Sequence, residues 1–493
     1  MAHKLAYSYA ERNANLTKLH YPLMPTLAAR TDPRVVLEKF HDIEHSTLPD
    51  EQIPVVESCG RITNIRRASK TLMFIDLAYD GAKIQVVVNG RKMADNSDIS
   101  AVSMLRKGDS ILVKGKPWRT PAGELSILAA SPPQLLSACL HPLPGHEIGE
   151  SIKRANRVAE LKAFSDARQV LKARDHISST IVAFLKRRGF TQVQTPIISS
   201  QVGGANADPF ITTEGLVLRV APELWLKRMI IGGFERVFEI GPSFRNEGID
   251  ATHNPEFTTC EGYQTFVTLE DLMQNTKDMF EEVSAAMAVE FPEYAGKCPP
   301  FNWKVVDFFT EIEARTGKTL PPDLSKPALQ EYLASVGLSF DESGSVPKLL
   351  DQLASHYIED THQGFVFVTN PPSVLAPLAK QASIEVNGIQ RTVSRRFELF
   401  IDGREYVNAY EEENDPQSQL EKLREQSQTP DIPDMDYVQD MEWGLPPTGG
   451  FGIGIDRLVM LFTGSERINQ VLSFGGIRQS SRSDQEGEEP GPQ

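Results

Sequence analysis

Residues 239–263, Glu239 to Tyr263, read EIGPSFRNEGIDATHNPEFTTCEGY and constrain the chain more than any other stretch. Five carboxylates share these residues with Arg245, His253 and Asn254, interleaved with Phe244 and Phe257 and preceded by Phe238. A solvated loop has no need of those rings, and a core strand cannot carry so much unpaired charge. The pattern predicts a strand–loop–strand that wraps an anionic ligand and a cationic one side by side.

The remainder of the chain sets the scale around that stretch. At 493 residues there is room for two to four domains and a sizeable core. A net charge of −15 argues against a protein that coats nucleic acid non-specifically, though not against a shaped basic face. Cys59, Cys139, Cys260 and Cys298 have no CxxC or metal-type spacing, so free thiols in a reducing compartment are expected. No run approaches the ~20 apolar residues of a membrane span. The first residues, MAHKLAYSYAERNANLTKLHYP, lack the apolar core of a secretory signal and are poor in acid. They leave the mitochondrial matrix and the cytoplasm both open.

Taken in order, residues 1–50 read as a helical extension, with VVLEKFHDI as a short helix. From 51 to 135, five short alternating runs are separated by turn signals at Asp80-Gly81, Asn89-Gly90 and Pro121-Ala122-Gly123, with a helix near 100–106. That predicts a small β-barrel of the OB kind, one surface of which carries Arg61, Phe74 and Gln85. An arginine, a ring and an amide on one surface suit unstacked single-stranded bases. Residues 136–156 are a proline- and glycine-rich linker. The part from 157 to 478 predicts an α+β fold: a long helix over 157–188, antiparallel strands backed by helices, and a mostly helical insertion at about 299–357. Pro196 interrupts the strand pattern TQVQTPIIS, which puts it at a sheet edge or a subunit boundary. Residues 479–493 read as a disordered acidic tail.

Two further stretches carry chemistry. Asp402-Gly403, between FELFI and REYVNAY, is a two-residue hairpin signal. Its register pairs Ile401 with Arg404, Phe400 with Glu405 and Glu398 with Val407, so Glu398 and Glu405 share a face within reach of one ion. Paired carboxylates repel unless a cation neutralises them, and oxygen-only ligands suit Mg²⁺; the alternative is two surface charges facing lysines. Strict alternation puts Asn408, Tyr410 and Glu412 on the other face from Glu405. A single site therefore requires a β-bulge between Glu405 and Asn408. GGFGIGIDR reads as a glycine-rich turn into the apolar helix LVMLF; Gly452 permits close approach of a ligand, and Arg457 makes a triphosphate plausible.

Together these stretches resemble the class II aminoacyl-tRNA synthetases, and within them the lysyl-tRNA synthetases, in particular fungal mitochondrial members. The helix leading into GFTQVQTPIIS is similar to the family's first, dimer-forming motif, FRNEGIDATHNPEFTTCE to its second and GGFGIGIDR to its third. PELWLK and FRNEGI…HNPEFT are specific to the lysine branch. The resemblance implies an antiparallel catalytic sheet preceded by an OB-fold anticodon domain that reads tRNA(Lys) through Arg61, Phe74 and Gln85. It implies that lysine's carboxylate attacks the α-phosphorus of ATP, and that the 3′-hydroxyl of tRNA then takes the lysyl group. Arg245 would hold the α-phosphate and lysine's carboxylate, Glu247 and Asn254 adenine and ribose, Phe257 the adenine face, and His253 and Arg457 the β- and γ-phosphates. Glu398 and Glu405 would hold Mg²⁺ beside Asn408, with Gly452 also at ATP. For L-lysine, Gly204 and Glu223 would take the α-amino group; Glu261, Tyr263 and Glu412 the ε-ammonium; Asn408 and Tyr410 would complete the pocket. A homodimer through the first motif and Pro196 is also implied. The chain departs from the family at Pro242-Ser243, at Asp208, at the EEEND run (411–415), and at Gly262, where a bulky residue is usual. A non-catalytic paralogue, an inhibitor-tolerant copy and a ligase that lysylates a protein remain alternatives on the same scaffold.

Overall fold

A computed structural model describes residues 10–14, 16, 31–43, 52–93, 101–143, 156–200, 203–204, 207–426 and 434–475. The acidic tail and most of the linker lie outside the described residues. The chain divides into two units, residues 1–165 and 166–493.

In the first unit, alternating apolar residues roll a sheet into a barrel. Its strands are β1 (Val56–Arg67), β2 (Leu72–Tyr79), β3 (Ala82–Asn89), β4 (Ser110–Arg119), β5 (Leu125–Ala129) and β6 (Gln134–Ser137), in the order β1-β2-β3-β5-β4-β6. A further β1–β4 pairing closes the barrel on five strands, as the turn spacing predicts. Ile75, Leu77, Ile84, Val86, Val88, Ile111, Val113 and Ile127 fill its interior. Helix α1 (Pro33–Lys39) is capped by Asp32, and the predicted helix near 100–106 is a single 3₁₀ turn, Ala101–Met104. The Asp80-Gly81 turn has positive φ at both residues (44° and 84°), the conformation a tight hairpin demands.

The single helix expected over 157–188 is two, α2 (Arg157–Ala163) and α3 (Ser165–Arg187), parted by Phe164 in extended conformation. The apolar spacing runs on across the break, which hides it. The signal is Ser165-Asp166, a helix-start pair.

The second unit is built on an eight-stranded sheet in the order β12-β13-β16-β17-β18-β11-β10-β7. The short strands β7 (Thr191–Gln192), β8 (Ile198–Ser199) and β9 (Val217–Leu218) come first. β10 (Arg236–Phe244) and β11 (Glu256–Thr265) form the predicted strand–loop–strand. β12 (Lys304–Asp307), β13 (Phe365–Thr369), β16 (Arg396–Ile401), β17 (Arg404–Glu411) and β18 (Thr448–Gly454) complete the sheet; β14 (Gln381–Val386) and β15 (Ile389–Ser394) make a separate hairpin. All neighbours in the large sheet are antiparallel except β12–β13 and β10–β7. Pro196 falls between β7 and β8, where the chain leaves the large sheet to pair with β9.

The remaining helices are α4 (Glu223–Ile231), α5 (Leu269–Glu290), α6 (Phe308–Thr316), α7 (Lys326–Ser335), α8 (Val346–Tyr357), α9 (Pro416–Gln426), α10 (Met435–Met441) and α11 (Ile455–Thr463). α3, α5 and α11 cover one face of the sheet, where Ile177, Phe184, Phe280, Val283, Leu458 and Phe462 pack with Phe238, Phe397, Val407 and Phe451. Helices α6–α8, the predicted helical insertion, form their own core with Val366, Val368 and Phe400. The middle of the opposite face carries polar side chains, among them Glu239, Glu261, Asn408 and Glu398.

GGFGIGIDR is not a turn. It is the central strand β18 running into α11. Strand propensity gave no hint, because its glycines alternate with Phe451 and Ile453 and contribute no side chain to the pattern. Facing the polar side, Gly450 and Gly452 leave the sheet bare between richly substituted neighbours.

Candidate active site

The hairpin at Asp402-Gly403 pairs Ile401 with Arg404 and Phe400 with Glu405. Its register then slips, so that Leu399 pairs with Val407 and Glu398 with Asn408 rather than with Val407. The extra residue is Tyr406, a bulge between Glu405 and Asn408. This slip brings Glu398, Glu405, Asn408 and Tyr410 to one face.

Cross-strand pairing then lays the polar face out in rows. One row runs Glu239–Glu261–Gly452–Asn408–Glu398, and the next runs Val237–Tyr263–Gly450–Tyr410–Arg396. The stretch Glu239–Tyr263 and the two later motifs thus become neighbours through backbone ladders alone.

A cavity of about 2470 Å³ opens over these rows. Gly204, Glu223, Arg245, Glu247, His253, Asn254, Phe257, Glu261 and Tyr263 line it, as do Glu398, Glu405, Asn408, Tyr410, Gly452 and Arg457. Glu412 does not line it. It is buried, with its carboxylate packed over Gly450 and paired with the ammonium of Lys227, a residue that carries no part in the sequence-based assignment.

At one end of the cavity the carboxylates are buried. Glu223, Glu261 and Glu412 are almost inaccessible. Lys227, four residues after Glu223 on α4, sits 2.7 Å from its Oε1 and also pairs with Glu412 Oε2. Tyr410 Oη donates to the same Glu223 oxygen at 2.7 Å. Burial, with Glu223 nearby, pushes the Glu261 carboxyl up to about 8, against the pull of Arg245 and Arg219. The Tyr263 hydroxyl is 3.5 Å from Glu261 Oε2. Behind them, Glu239 is satisfied by Arg219 at 2.7 Å and by the backbone and hydroxyl of Thr195 at 2.9 and 2.7 Å. Signals for Lys227 did exist: Glu and Lys four apart at a helix start are neighbours on one face.

The other end is cationic and wetter. The Arg245 guanidinium lies 5.0 Å from the ring centre of Phe257, and its Nε is buried without a hydrogen-bond partner. Arg457, in the first turn of α11, donates to the Glu405 carbonyl at 2.7 Å and to His253 Nε2 at 2.9 Å. An arginine only donates, so His253 accepts at Nε2 and turns its Nδ1 proton to Asp250 Oδ2, 2.8 Å away. Asp250 is held well below the usual carboxylate range by the Thr252 N–H and by His253. Asp456, beside Arg457, accepts from the Thr258 N–H at 2.7 Å and pairs with Arg174, tying α11 and α3 to β11. In the sequence Asp456 is marked only by its place in the first helical turn beside Arg457; its partners Arg174 and Thr258 lie far away in the chain.

Between the two ends, Arg396 pairs with Glu398 and donates to Asn408 Oδ1 at 2.9 Å. Glu398 therefore faces an arginine, not surface lysines. Burial, with Glu405, Glu359 and Asp351 close by, nevertheless pushes it up to about 7 against the pull of Arg396. Burial raises Asp351 and Glu359 as well. Among the described residues no group of three or more His, Cys, Asp or Glu side chains could hold a metal ion. The donor set here is all oxygen and short of positive charge, which fits a cation that needs only one or two carboxylates beside phosphate oxygens.

Two departures from the family pattern acquire a physical reading. Asp208 is exposed and absent from the cavity wall; only its carbonyl engages the site loop, accepting from the Asn246 N–H at 2.7 Å. A Cβ on Gly262 would come within 2.5 Å of the Phe451 ring. Phe451 fills, from the paired strand, the space a bulky residue at 262 would occupy.

On the barrel, Arg61, Phe74 and Gln85 share the outer face, since Arg61 pairs with Ala78, and Phe74, Asp76 and Ala78 alternate with the buried Met73, Ile75 and Leu77. Gln85, opposite Asp76, donates to Glu124 at 2.8 Å and accepts from Ser126 at 3.2 Å. Arg66 lies 4.8 Å over the Phe74 ring, a partner the sequence reading missed.

The architecture has counterparts. The model of class II tRNA synthetases for D, K and N matches residues 149–478, and that of the OB-fold nucleic acid binding domain matches residues 56–131. The chain belongs to the class II tRNA synthetases. Within that class it stands beside lysine–tRNA ligases. It is 36% identical to the mitochondrial enzyme of Schizosaccharomyces pombe, over 95% of this chain and 93% of that protein. It is 36% identical to the mitochondrial enzyme of Saccharomyces cerevisiae, over 86% of this chain and 82% of that protein, and 35% identical to the lysine–tRNA ligase of Helicobacter pylori strain 26695, over 90% of each. Mitochondrial and cytoplasmic lysine–tRNA ligases both occur among its relatives.

Proposed function

We infer that this chain is an ATP-dependent lysine–tRNA ligase: it joins lysine to ATP as lysyl-adenylate, releasing pyrophosphate, and passes the lysyl group to tRNA(Lys), releasing AMP. The observation that carries the reading is a cavity with buried carboxylates at one end and, at the other, Arg457 and an Arg245 whose Nε is buried without a partner.

In the first step an oxygen of lysine's carboxylate forms a bond to the α-phosphorus, and the bond from that phosphorus to the bridging oxygen breaks. Arg245, with its unpartnered Nε, holds the α-phosphate and the attacking carboxylate together and stabilises the charge that accumulates between them. Phe257 offers its ring to adenine, with Glu247 and Asn254 beside the base and ribose and Gly452 leaving the floor bare. His253 and Arg457 face the β- and γ-phosphates. Glu398 and Glu405 are the residues that would hold Mg²⁺ next to Asn408. When bound, the ion neutralises phosphate charge.

Lysine's α-amino group lies at Gly204 and Glu223. Its ε-ammonium lies against Glu261 and Tyr263, with Tyr410 at the side and Glu412 acting across Gly450. An uncharged analogue would leave those carboxylates unpaired, which is why rejection is strong. The outer face of the barrel, with Arg61, Phe74 and Gln85, reads the anticodon. A homodimer through the Pro196 region is supported by apolar exposure there: Ile197, Ile198, Ile211 and Leu216 are 42%, 52%, 65% and 40% exposed.

Lysine-dependent ATP–pyrophosphate exchange, followed by charging of tRNA with lysine and with aspartate as control, tests the assignment. Exchange and charging with lysine alone are expected. No exchange with lysine would overturn the enzyme, and exchange without charging would redirect the second step to a protein acceptor.

A further inference from the structure

The lysine end of the cavity contains an ammonium of its own. Lys227 is 0% exposed, its Nζ lies 2.7 Å from Glu223 Oε1 and pairs with Glu412 Oε2, and the rings of Tyr410 and Tyr437 stand 5.6 and 6.0 Å from it. A buried ammonium without partners would lose its proton. Here burial opposes the charge, and Glu223 and Glu412 outweigh it, holding Lys227 above the ordinary lysine range.

The pairing uses one oxygen of each carboxylate and so fixes both side chains. Glu412 is left with Oε1 buried and unpartnered. An added Cβ on Gly450, which lines the cavity, would stand 2.3 Å from that oxygen and 2.4 Å from Tyr263 Cε1. Charge counting gives the consequence. With substrate bound and all three ionised, Glu223, Glu261 and Glu412 carry three negative charges, and Lys227 returns one. The two that remain equal the two ammonium groups of a lysine substrate. Without Lys227, Glu223 and Glu412 would lose the cation that opposes their protonation in a dry site, and the loaded pocket would carry one negative charge more than the substrate's ammonium groups balance.

We propose that Lys227 is a positioning and specificity-determining residue: an internal counter-ion that holds Glu223 and Glu412 in place and sets the pocket's charge to match an amino acid bearing two ammonium groups. The proposal rests on the lysine-ligase reading. It reaches beyond it by giving a role to a side chain that does not line the cavity.

The test is steady-state pyrophosphate exchange on full-length Lys227→Met and Lys227→Ala, with thermal melts of each. For Lys227→Met the lysine KM rises on the order of 100-fold, as for a broken buried pair, while the KM for ATP stays within about threefold. For Lys227→Ala, added n-propylammonium, which matches the three carbons and the ammonium removed, restores lysine affinity, and the longer n-hexylammonium does not. If Lys227→Ala is poorly folded, n-propylammonium raises its melting temperature and its exchange activity together. Unchanged lysine KM in Lys227→Met, an equal rise in both KM values, or a melt restored by the amine without lysine affinity would each overturn the proposal. Inactive wild type would instead overturn the ligase reading, so the two failures are distinguishable.

Discussion

The two ends of the cavity are built on opposite principles. At the lysine end, Glu223, Glu261, Tyr263 and Glu412 are buried and fixed by one another and by Lys227. At the phosphate end, Arg457 is 25% and His253 48% exposed, and the arginine leans on a carbonyl and an imidazole rather than on a close carboxylate. A dry, prepaid charge arrangement suits selection of one amino acid, because a wrong side chain leaves buried charge unpaired. A wetter cationic end suits a substrate that must enter charged, react and leave as pyrophosphate.

The strongest way to break this contrast is Glu412→Gln. Removing one carboxylate leaves Lys227 with Glu223 alone in a dry site, and breaking one such buried pair costs about 3–5 kcal/mol. The lysine KM should rise by two to three orders of magnitude on that scale, with the ATP KM nearly unchanged. Equal effects on both substrates would show that the ends are not separable.

Gly450→Ala probes the same end by volume. A methyl at that position meets Glu412 Oε1 at 2.3 Å and Tyr263 Cε1 at 2.4 Å. Overpacking of this kind costs about 1–3 kcal/mol. Lysine affinity should fall roughly tenfold to a hundredfold, with ATP affinity spared. An unaffected lysine KM would mean that Glu412 does not act across Gly450.

Proton linkage sharpens the comparison further. Glu261 is pushed up to about 8 by burial and by Glu223, so below that pH the empty pocket holds a proton where an ammonium would sit. Binding lysine favours the carboxylate, and the proton must leave. The lysine KM should therefore fall as pH rises from 6 to 8, by at most about tenfold per unit, and level off above 8. Glu261→Gln should remove this dependence. For the apo protein the sign is opposite: stability conferred by the protonated form is complete below the ordinary carboxyl range and is lost as pH rises through 8.

How far the sequence foresaw these ends differs in the same way. The hairpin at Asp402-Gly403 was legible from a dipeptide, because positive φ at both positions is a local demand. The bulge at Tyr406 followed from requiring Glu405 and Asn408 in one site, a functional constraint applied to a period of two. Lys227 was not found as a partner of Glu412, since that pair joins a helix to a strand 185 positions away and depends on tertiary packing. β18 was taken for a turn because its glycines say nothing about strand formation, only about what must not protrude. The break at Phe164 was lost in continuous apolar spacing. Gly262 departs from the family pattern without opening a gap, because Phe451, which pairs with it across the ladder and packs in the core, fills the space a side chain there would take.

The smallest effects are expected on the barrel, where Arg61 and Phe74 are half-buried, Gln85 is buried and each contact is modest. Phe74→Ala removes a stacking ring worth about 1–3 kcal/mol to one base; Gln85→Ala removes an amide worth about 1 kcal/mol. Both should raise the KM for tRNA in charging, the first more than the second, while pyrophosphate exchange stays at the wild-type level. Arg66 supplies a competing partner: its guanidinium covers Phe74 at 4.8 Å, so a base stacking there as proposed would displace it. Arg66→Ala would expose the ring but remove a cation from the same face, so its net effect on tRNA affinity should be smaller than that of Phe74→Ala. Loss of exchange activity in any of the three would mean that this face of the barrel supports the chemistry of adenylation and not the reading of tRNA.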